Sequence, residues 1–375
     1  MSRFMYMIII VSFLDTFVQL PIITPYAMSL GASYFMAGSI VAIYSLTNML
    51  GNVVGGHWID QYGRKRMLVT GMIAVAVILV FYPFAQNATQ LFFIRLFHGL
   101  AGGVLIPAAF AYVGDHSSKS NRGKTMAFTG ASIGTAAIVG PAIGGIMAAR
   151  ASIESVFLFI AALFVVTVIF VIRLVSESFV SSERNKVQLS QFVPLLKEKL
   201  LLQASVAAFA LMVSNGTLAY AFPLKTEEIG LASDMTGMLL SVFGLVALIV
   251  FLTPINRIYD RYSPVSLVLI GIGFIGIALF TLNFATSLVV AVCSMIIYGF
   301  GFAFVFPSMN KMVAESTAAE NRGKAYGIFY AFFSLGVVAG SFISGVVTEF
   351  IGLPFLVSAL IMIIIAISLL FSSKK

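Results

Sequence analysis

Two charged residues lie deep inside apolar stretches, where a titratable group can take part in proton transfer. Asp15 is the acid and Arg95 is the base at such depth. Either one costs roughly 2.5–3.5 kcal/mol at the centre of a bilayer helix. Burial favours a neutral carboxyl group, whereas a neighbouring guanidinium favours the carboxylate. If the two residues face each other, a change in water access could move a proton on and off Asp15. The alternative is a purely structural ion pair.

The spacing of the two charges along their helices allows them to meet. Asp15 lies ~16 Å from Phe4 and Arg95 lies ~6 Å from Leu91, at 1.5 Å per residue. The two helices enter the bilayer from opposite sides, so we expect the charges to approach each other. His98 lies in the same stretch as Arg95. It could relay protons, or it could be a hydrogen-bonded helix histidine. We predict a proton-coupling site made of Asp15, Arg95 and His98.

A second stretch with possible chemistry is SKSNRGKT, residues 118–125. A glycine in place of Ser118 would complete a phosphate-binding loop, which needs a strand before it and a helix after it. No strand pattern precedes this stretch. Asn-Arg-Gly-Lys also recurs at 321–324, where Ala325 replaces the Thr that would contact magnesium. The stretch is therefore a repeated turn between helices and not a nucleotide site.

The elements that must position these residues are membrane helices. The chain has 375 residues, of which 60% are hydrophobic and 10% are charged, whereas soluble domains carry about 25% charged residues. Runs of 17–25 apolar residues cross a hydrocarbon core of ~30 Å. Twelve such runs predict an all-α integral membrane protein: 5–28, 35–58, 67–86, 91–113, 125–148, 154–174, 200–223, 235–257, 264–283, 287–312, 324–348 and 353–371.

Composition also limits the chemistry and the partners. The one cysteine, Cys293, excludes a disulfide framework and a cysteine-based metal site. No nucleophile–base pair or metal-ligand set is apparent, so we expect no enzyme activity, no catalytic residue, no metal and no cofactor. The net charge is +8. Most Lys and Arg residues lie at the termini and in alternate loops, which fits the positive-inside rule and argues against nucleic acid. We expect a multi-pass protein of the inner (plasma) membrane with both termini in the cytoplasm.

The two halves of the chain repeat each other with an offset of 200 residues. Asp60 and Gly99, for example, match Asp260 and Gly299. An even number of helices in each copy gives both copies the same orientation, as in parallel repeats. We therefore predict a six-helix bundle over 1–175, a polar cytoplasmic linker over 176–199 and a second six-helix bundle over 200–375.

The loop between the second and third runs reads GHWIDQYGRKR. It resembles the corresponding loop of the major facilitator superfamily, and the helix count and the repeat agree with that fold. The resemblance implies a cytoplasmic gate in which Asp60 and Arg64 form a charge cluster with Asp115. Gly63 should allow a tight turn and Gly56 a close helix approach. The whole gate set is Gly56, Asp60, Gly63, Arg64, Lys65, Arg66 and Asp115. In the second copy Pro264 replaces Arg64. We therefore expect the charge clusters that close the cytoplasmic side, here called latches, to differ in strength between the two copies.

A second motif, in the fifth run, reads GPAIGG. Gly140, Pro141, Gly144 and Gly145 resemble the signature of drug:proton antiporters, and the first run resembles the twelve-helix drug-efflux branch. The resemblance implies a hinge or leak control at the Gly-Pro pair, although packing by small residues is the simpler reading. The second copy has Ser341 in place of the proline, as in antiporters that carry the motif only in the first half.

Few polar groups reach the middle of the predicted helices. Gln19, Asn48 and Asn215 are our candidates for a substrate cavity. A cavity with so few polar side chains favours hydrophobic or cationic small molecules as substrates. We predict a proton-coupled efflux transporter of the multidrug type, monomeric in the bilayer, with a small-molecule substrate and protons as partners. The alternatives are an exporter of one metabolite (a sugar, amino acid or siderophore) and a membrane sensor or partner-binding protein that transports nothing.

Overall fold

The computed structural model describes residues 4–115, 122–177, 193–317 and 322–374, and its regular structure within these ranges is helical. Fourteen α-helices follow one another in these ranges: α1 Phe4–Val18, α2 Ile23–Ser29, α3 Tyr34–Tyr62, α4 Arg64–Phe81, α5 Ala88–Asp115, α6 Arg122–Arg150, α7 Ile153–Leu174, α8 Lys199–Glu228, α9 Ser233–Leu252, α10 Ile258–Arg261, α11 Pro264–Asn283, α12 Leu288–Ser316, α13 Arg322–Phe350 and α14 Pro354–Lys374.

Eleven of the described helices are long and apolar enough to cross a membrane, and α1 with α2 forms one further, bent span. The predicted all-α membrane fold with twelve spans is therefore confirmed. The two copies also begin and end their helices about 200 residues apart: α4 starts at Arg64 and α11 at Pro264, and α6 starts at Arg122 and α13 at Arg322.

Prolines account for the main differences between the two copies. The first span bends by 44° between α1 and α2, where Pro21 lacks the N–H that a continuous helix would use. In the second copy α9 ends at Leu252 and Pro254 opens a short 3-10 turn before α10. The matching helix α3 has Val54 at that place and runs without a break to Tyr62.

Contacts divide the chain into two units. The first comprises Met1–Glu183 with Ala232–Ser241, and the second comprises Arg184–Leu231 with Val242–Lys375. Within the first unit α3 packs on α5, α1 on α6, and α4 between α5 and α7; within the second, α8 packs on α13, and α11 packs on α12 and α14.

Glycines allow the closest of these helix contacts. At Gly55 a β-carbon would lie 2.8 Å from the Cα of Val104, and at Gly103 it would lie 2.7 Å from the Cα of Gly51. Helices α3 and α5 therefore touch backbone to backbone, as is common where small residues meet in membrane proteins. This contact holds α5, which carries two of the predicted proton-coupling residues, Arg95 and His98.

Candidate functional site

The predicted proton-coupling residues form one buried polar cluster in the first unit. Oδ2 of Asp15 lies 3.0 Å from Nε2 of His98, and Nδ1 of His98 lies 2.8 Å from the hydroxyl of Tyr82. His98 is fully buried and Asp15 is 2% exposed. A neutral His98 with its proton on Nε2 satisfies every partner, because it donates to the carboxylate and accepts from the Tyr82 hydroxyl.

Arg95 reaches Asp15 through Gln19 rather than directly. The Gln19 amide nitrogen donates to Oδ1 of Asp15 at 2.8 Å. Its amide oxygen accepts from Nη1 of Arg95 at 2.6 Å. The guanidinium also lies 4.3 Å from the centre of the Tyr44 ring and donates to the Ile40 carbonyl at 3.4 Å. We expected Asp15 and Arg95 to contact each other directly. The structure instead places the Gln19 amide between them, and the Asp15 carboxylate pairs with His98.

The local sequence explains why these groups meet. Asp15 and Gln19 are four residues apart and Arg95 and His98 are three apart, so each pair shares one helix face. Gly99 follows His98 and leaves no room for a side chain against the Tyr44 carbonyl. The close contact of α3 and α5 therefore turns Arg95 and His98 toward α1. Tyr82, just after α4, is fixed by stacking on Phe157 with ring centres 4.0 Å apart.

The three residues predicted to line a substrate cavity have different surroundings. Gln19 is 3% exposed, and both ends of its amide are used within the buried cluster, so it belongs to that cluster and does not line a cavity. Asn48 is half-buried and accepts from Asn52 at 3.1 Å. Asn215 is half-buried on α8 of the other unit. The cavity assignment therefore stays a prediction for Asn48 and Asn215.

The second unit has a neutral version of this cluster. Tyr298 stands 200 residues after His98, and its hydroxyl lies 2.9 Å from the Ser214 hydroxyl. Its ring meets Phe243 edge-on, as His98 meets Tyr44. Met295, at the position of Arg95, is fully buried. Among the described residues the charged cluster is thus a property of the first unit alone.

The predicted gate loop contains a tight turn with a cap that the sequence did not reveal. Gly63 has φ +98° between α3 and α4, a conformation that favours glycine. The Glu177 carboxylate, three residues after α7 ends, accepts from the backbone N–H groups of Arg64 at 2.9 Å, Lys65 at 3.2 Å and Arg66 at 3.4 Å. A carboxylate at a helix N-terminus satisfies free N–H groups and complements the helix dipole.

The other gate residues have mixed outcomes. The expectation for Gly56 is wrong, because no heavy atom of the described chain lies within 4 Å of where its β-carbon would be. Gly51 and Gly55 make the close approach instead. Asp60 and Asp115 lie near the ends of α3 and α5, but their side chains fall outside the described part of the chain. The charge cluster that they were expected to form with Arg64 stays a prediction.

The matching loop of the second unit is built differently. Ser263 caps α11 from within its own loop, since its hydroxyl accepts from the Ser266 N–H at 3.1 Å. Tyr259 on α10 donates to the Ala303 carbonyl at 2.8 Å. Burial raises the pKa of Tyr259 to about 12, so this hydroxyl keeps its proton at physiological pH. The two loops thus have different supports, and the expectation of unequal latches stays a prediction.

The antiporter-like motif packs tightly on both sides. A β-carbon at Gly140 would collide with Phe17, and one at Gly144 would collide with the Val18 carbonyl. Gly145 meets the backbone of Gly237 at the start of α9, in the segment grouped with the first unit. Pro141 lies inside the unbroken helix α6. Packing is therefore part of the role of this motif, and its hinge role stays a prediction.

A family model with the description Major Facilitator Superfamily matches residues 5–210 and again residues 204–375. The chain belongs to the Major Facilitator Superfamily. The family expectation drawn from the loop motif is therefore confirmed, and the two matches agree with the 200-residue repeat. The chain is thus a multi-pass member of a family of membrane transporters.

Relatives within the Major Facilitator Superfamily align along most of the chain. Multidrug resistance protein 2 of Bacillus subtilis (strain 168) is 21% identical over 98% of this chain and 94% of its own length. Multidrug resistance protein MdtG of Klebsiella pneumoniae (strain 342) is 24% identical over 84% of this chain and 79% of its own. The crystal structure of a bacterial homolog to the human lysosomal transporter Spinster aligns with a TM-score of 0.82 at 14% identity, covering 99% of this chain and 96% of its own. This last likeness concerns the fold alone.

Proposed function

We propose that this protein is a proton-coupled secondary transporter that exports hydrophobic or cationic small molecules by alternating access. The observation that carries the proposal is the buried cluster of Asp15, His98, Gln19 and Arg95 within the membrane-spanning helices of the first unit. The names of the relatives, which include multidrug resistance proteins, support the substrate class.

Asp15 is the proton carrier of this proposal, and His98 is its immediate partner. In the observed arrangement the carboxylate accepts from Nε2 of His98 at 3.0 Å. A proton that arrives at this pair neutralises the carboxylate and weakens the hydrogen bond that holds His98, because a neutral carboxyl group accepts less strongly than a carboxylate. Arg95 then becomes an uncompensated buried charge, which is costly in a membrane interior. Protonation therefore changes the balance of charge in a site shared by α1 and α5.

The source of energy follows from the position of the site. One elementary charge that crosses 100 mV supplies about 2.3 kcal/mol, and a pH gradient adds to it. The excess of Lys and Arg in alternate loops supports cytoplasmic termini. In this orientation protons enter from outside while substrate leaves the cell. The gate at Gly63, Arg64 and their neighbours then lies on the cytoplasmic side, and the protein works as a monomer in the plasma membrane.

The test is transport in proteoliposomes with an imposed pH gradient. A panel of hydrophobic cations and neutral dyes, together with sugars and amino acids, tests the substrate class against the one-metabolite alternative. We expect Asp15→Asn to abolish proton-driven movement of the substrates and to leave downhill exchange measurable, because asparagine resembles the protonated carboxyl group.

The matched control is Glu227→Gln, which removes an exposed acid near the end of α8 in the second unit, outside both gate loops. Its proton-driven transport should equal that of the parent. If Asp15→Asn also releases protons on substrate addition as the parent does, the coupling site lies elsewhere. A parent protein that moves no compound under any gradient would favour the sensor alternative.

A further inference from the structure

An apolar groove runs along the first unit between α4 and α7. It has a volume of about 440 Å³. Its walls are exposed aliphatic side chains, Ile73, Val77 and Val80 on α4 and Leu158, Val165 and Ile169 on α7. Exposed aliphatic side chains on membrane helices face lipid, so the groove opens toward acyl chains. None of these residues belongs to the buried polar cluster.

The groove exists because its floor is made of small residues. Ala76 and Ala161 are buried between the walls, and Ala162 lies beside them. In the second unit the matching helices are α11 and α14, and α14 starts 201 residues after α7, so the bulkier Met362 and Ile363 stand where Ala161 and Ala162 do. Met362 is 1% exposed and packs close to Gly276, the counterpart of Ala76. The Met362 side chain of the second unit thus occupies the kind of space that stays open above Ala76 in the first unit.

Both walls end in an arginine on the same side of the membrane. Along α4, Arg66, Ile73, Val77 and Val80 fall on one helix face, and Arg66 lies ~10 Å below Ile73 at 1.5 Å per residue. Along α7, Arg173 follows Ile169 by one turn, ~6 Å. Below the groove Nζ of Lys65 donates to the Ile172 carbonyl at 2.9 Å and ties the two helix ends together.

The two arginines are available to a ligand. Both side chains are exposed, and neither guanidinium has an ion-pair partner within the described residues. The nearby Glu177 carboxylate is already engaged by backbone N–H groups at the start of α4. The second unit has Ser266 at the position of Arg66 and, because α14 starts 201 residues after α7, Lys374 at that of Arg173. The pair of arginines below the groove therefore occurs in the sequence of the first copy and not in that of the second.

We propose that this groove binds an anionic glycerophospholipid of the cytoplasmic leaflet. One acyl chain fills the space between α4 and α7, and the phosphate lies between Arg66 and Arg173. The apolar walls match the chain, and the paired guanidinium groups match a phosphodiester, which they can bind through two N–H groups each. The leaflet follows from the orientation of the proposed function, whereas the binding itself does not depend on transport.

The test is native mass spectrometry of the purified full chain in detergent with phosphatidylglycerol or phosphatidylcholine of the same acyl composition. We expect the parent to retain one phosphatidylglycerol in preference to phosphatidylcholine. A surface arginine near an anionic lipid contributes about fivefold in affinity, so Arg66→Gln with Arg173→Gln should weaken phosphatidylglycerol about thirtyfold and leave phosphatidylcholine unchanged. Ala162→Leu, which fills the groove, should weaken both lipids.

Two controls separate this site from general effects. Arg257→Gln with Arg261→Gln removes two exposed charges of the second unit, and Val166→Leu adds bulk on an exposed face of α7 outside the groove. Both should bind lipid as the parent does.

Equal binding of the two lipids by the parent, or unchanged binding after groove filling, would overturn the proposal. So would loss of bound phosphatidylglycerol to inorganic phosphate alone, since that result would mean an anion site without a chain site. Binding that behaves as expected in a protein without transport would leave this site standing and reject the proposed function.

Discussion

At the scale of single residues, Gln19 links the two buried charges through hydrogen bonds. The amide is the one side chain of the described cluster that contacts both Asp15 and Arg95. An amide bridge keeps two opposite charges close without a direct ion pair, so each group keeps a hydrogen bond to Gln19, although not a counter-charge, when the other changes its protonation state. We therefore predict that Gln19 positions the two charges of the proposed proton site.

Replacing Gln19 should disturb both stability and coupling. Gln19→Leu removes an acceptor from a buried guanidinium and a donor from a buried carboxylate, and an unsatisfied buried group costs about 1–3 kcal/mol. We expect a lower unfolding temperature in detergent and loss of substrate-induced proton release. Gln203→Leu is the matched control, because within the described ranges the side chain of that buried glutamine of α8 bonds only Ser372, at 3.2 Å. Equal effects of the two substitutions would reduce Gln19 to an ordinary buried glutamine.

At the scale of helices, glycine positions and caps determine how the elements meet. Helix α6 has two kinds of glycine. Gly144 lies against the Val18 carbonyl with no room for a β-carbon, whereas Gly134 has no neighbour within 4 Å among the described residues. The same residue type therefore serves packing at one position and has no packing role at the other.

This difference predicts opposite effects of alanine on one helix. Gly144→Ala forces α1 and α6 apart and should cost about 1–3 kcal/mol, the range for an overpacked core. Gly134→Ala should gain up to about 1 kcal/mol, since alanine is the better helix former. Thermal unfolding of the two variants in the same detergent measures both. A Gly144→Ala protein as stable as the parent would mean that α6 is free to shift.

The cap of α4 should be visible in amide exchange. Glu177→Ala leaves the N–H groups of Arg64, Lys65 and Arg66 without their acceptor, and losing a helix cap costs about 0.5–2 kcal/mol. Hydrogen–deuterium exchange should become faster at the start of α4 and stay unchanged at the start of α11, where Ser263 is the cap. Ser263→Ala should give the reverse pattern. Identical exchange at both sites in both variants would argue against these caps.

The sequence predicted the elements better than the contacts between them. Apolar runs and the 200-residue offset located the spans, because a bilayer permits few alternatives for a long apolar segment. Asp15 and Arg95 were identified by the cost of burying a charge, and His98 by its position in the same apolar stretch as Arg95. Gln19 was assigned to a cavity, because sequence alone does not show which neighbour an amide faces. Glu177 was missed because a cap from a distant segment leaves no local pattern, although it is the first acid after the sixth run.

At the scale of the whole molecule, the distribution of charge predicts the orientation in the membrane. In a Cys293→Ser background, single cysteines at the exposed residues Asn87 and Gln61 lie at opposite ends of the spans. We expect a membrane-impermeant thiol reagent added to intact cells to label Asn87→Cys and to label Gln61→Cys only after permeabilisation. Labelling of Gln61→Cys in intact cells would place the basic loops outside, against the positive-inside rule.

The contact between Glu177 and the start of α4 has a practical consequence for dissecting the protein. A split-protein experiment that expresses the first six spans alone has to choose a last residue. A cut after Val175, where the apolar run ends, would delete the carboxylate that accepts three N–H groups of the gate loop. The smallest fragment that can hold its own loop in place therefore ends after Glu177.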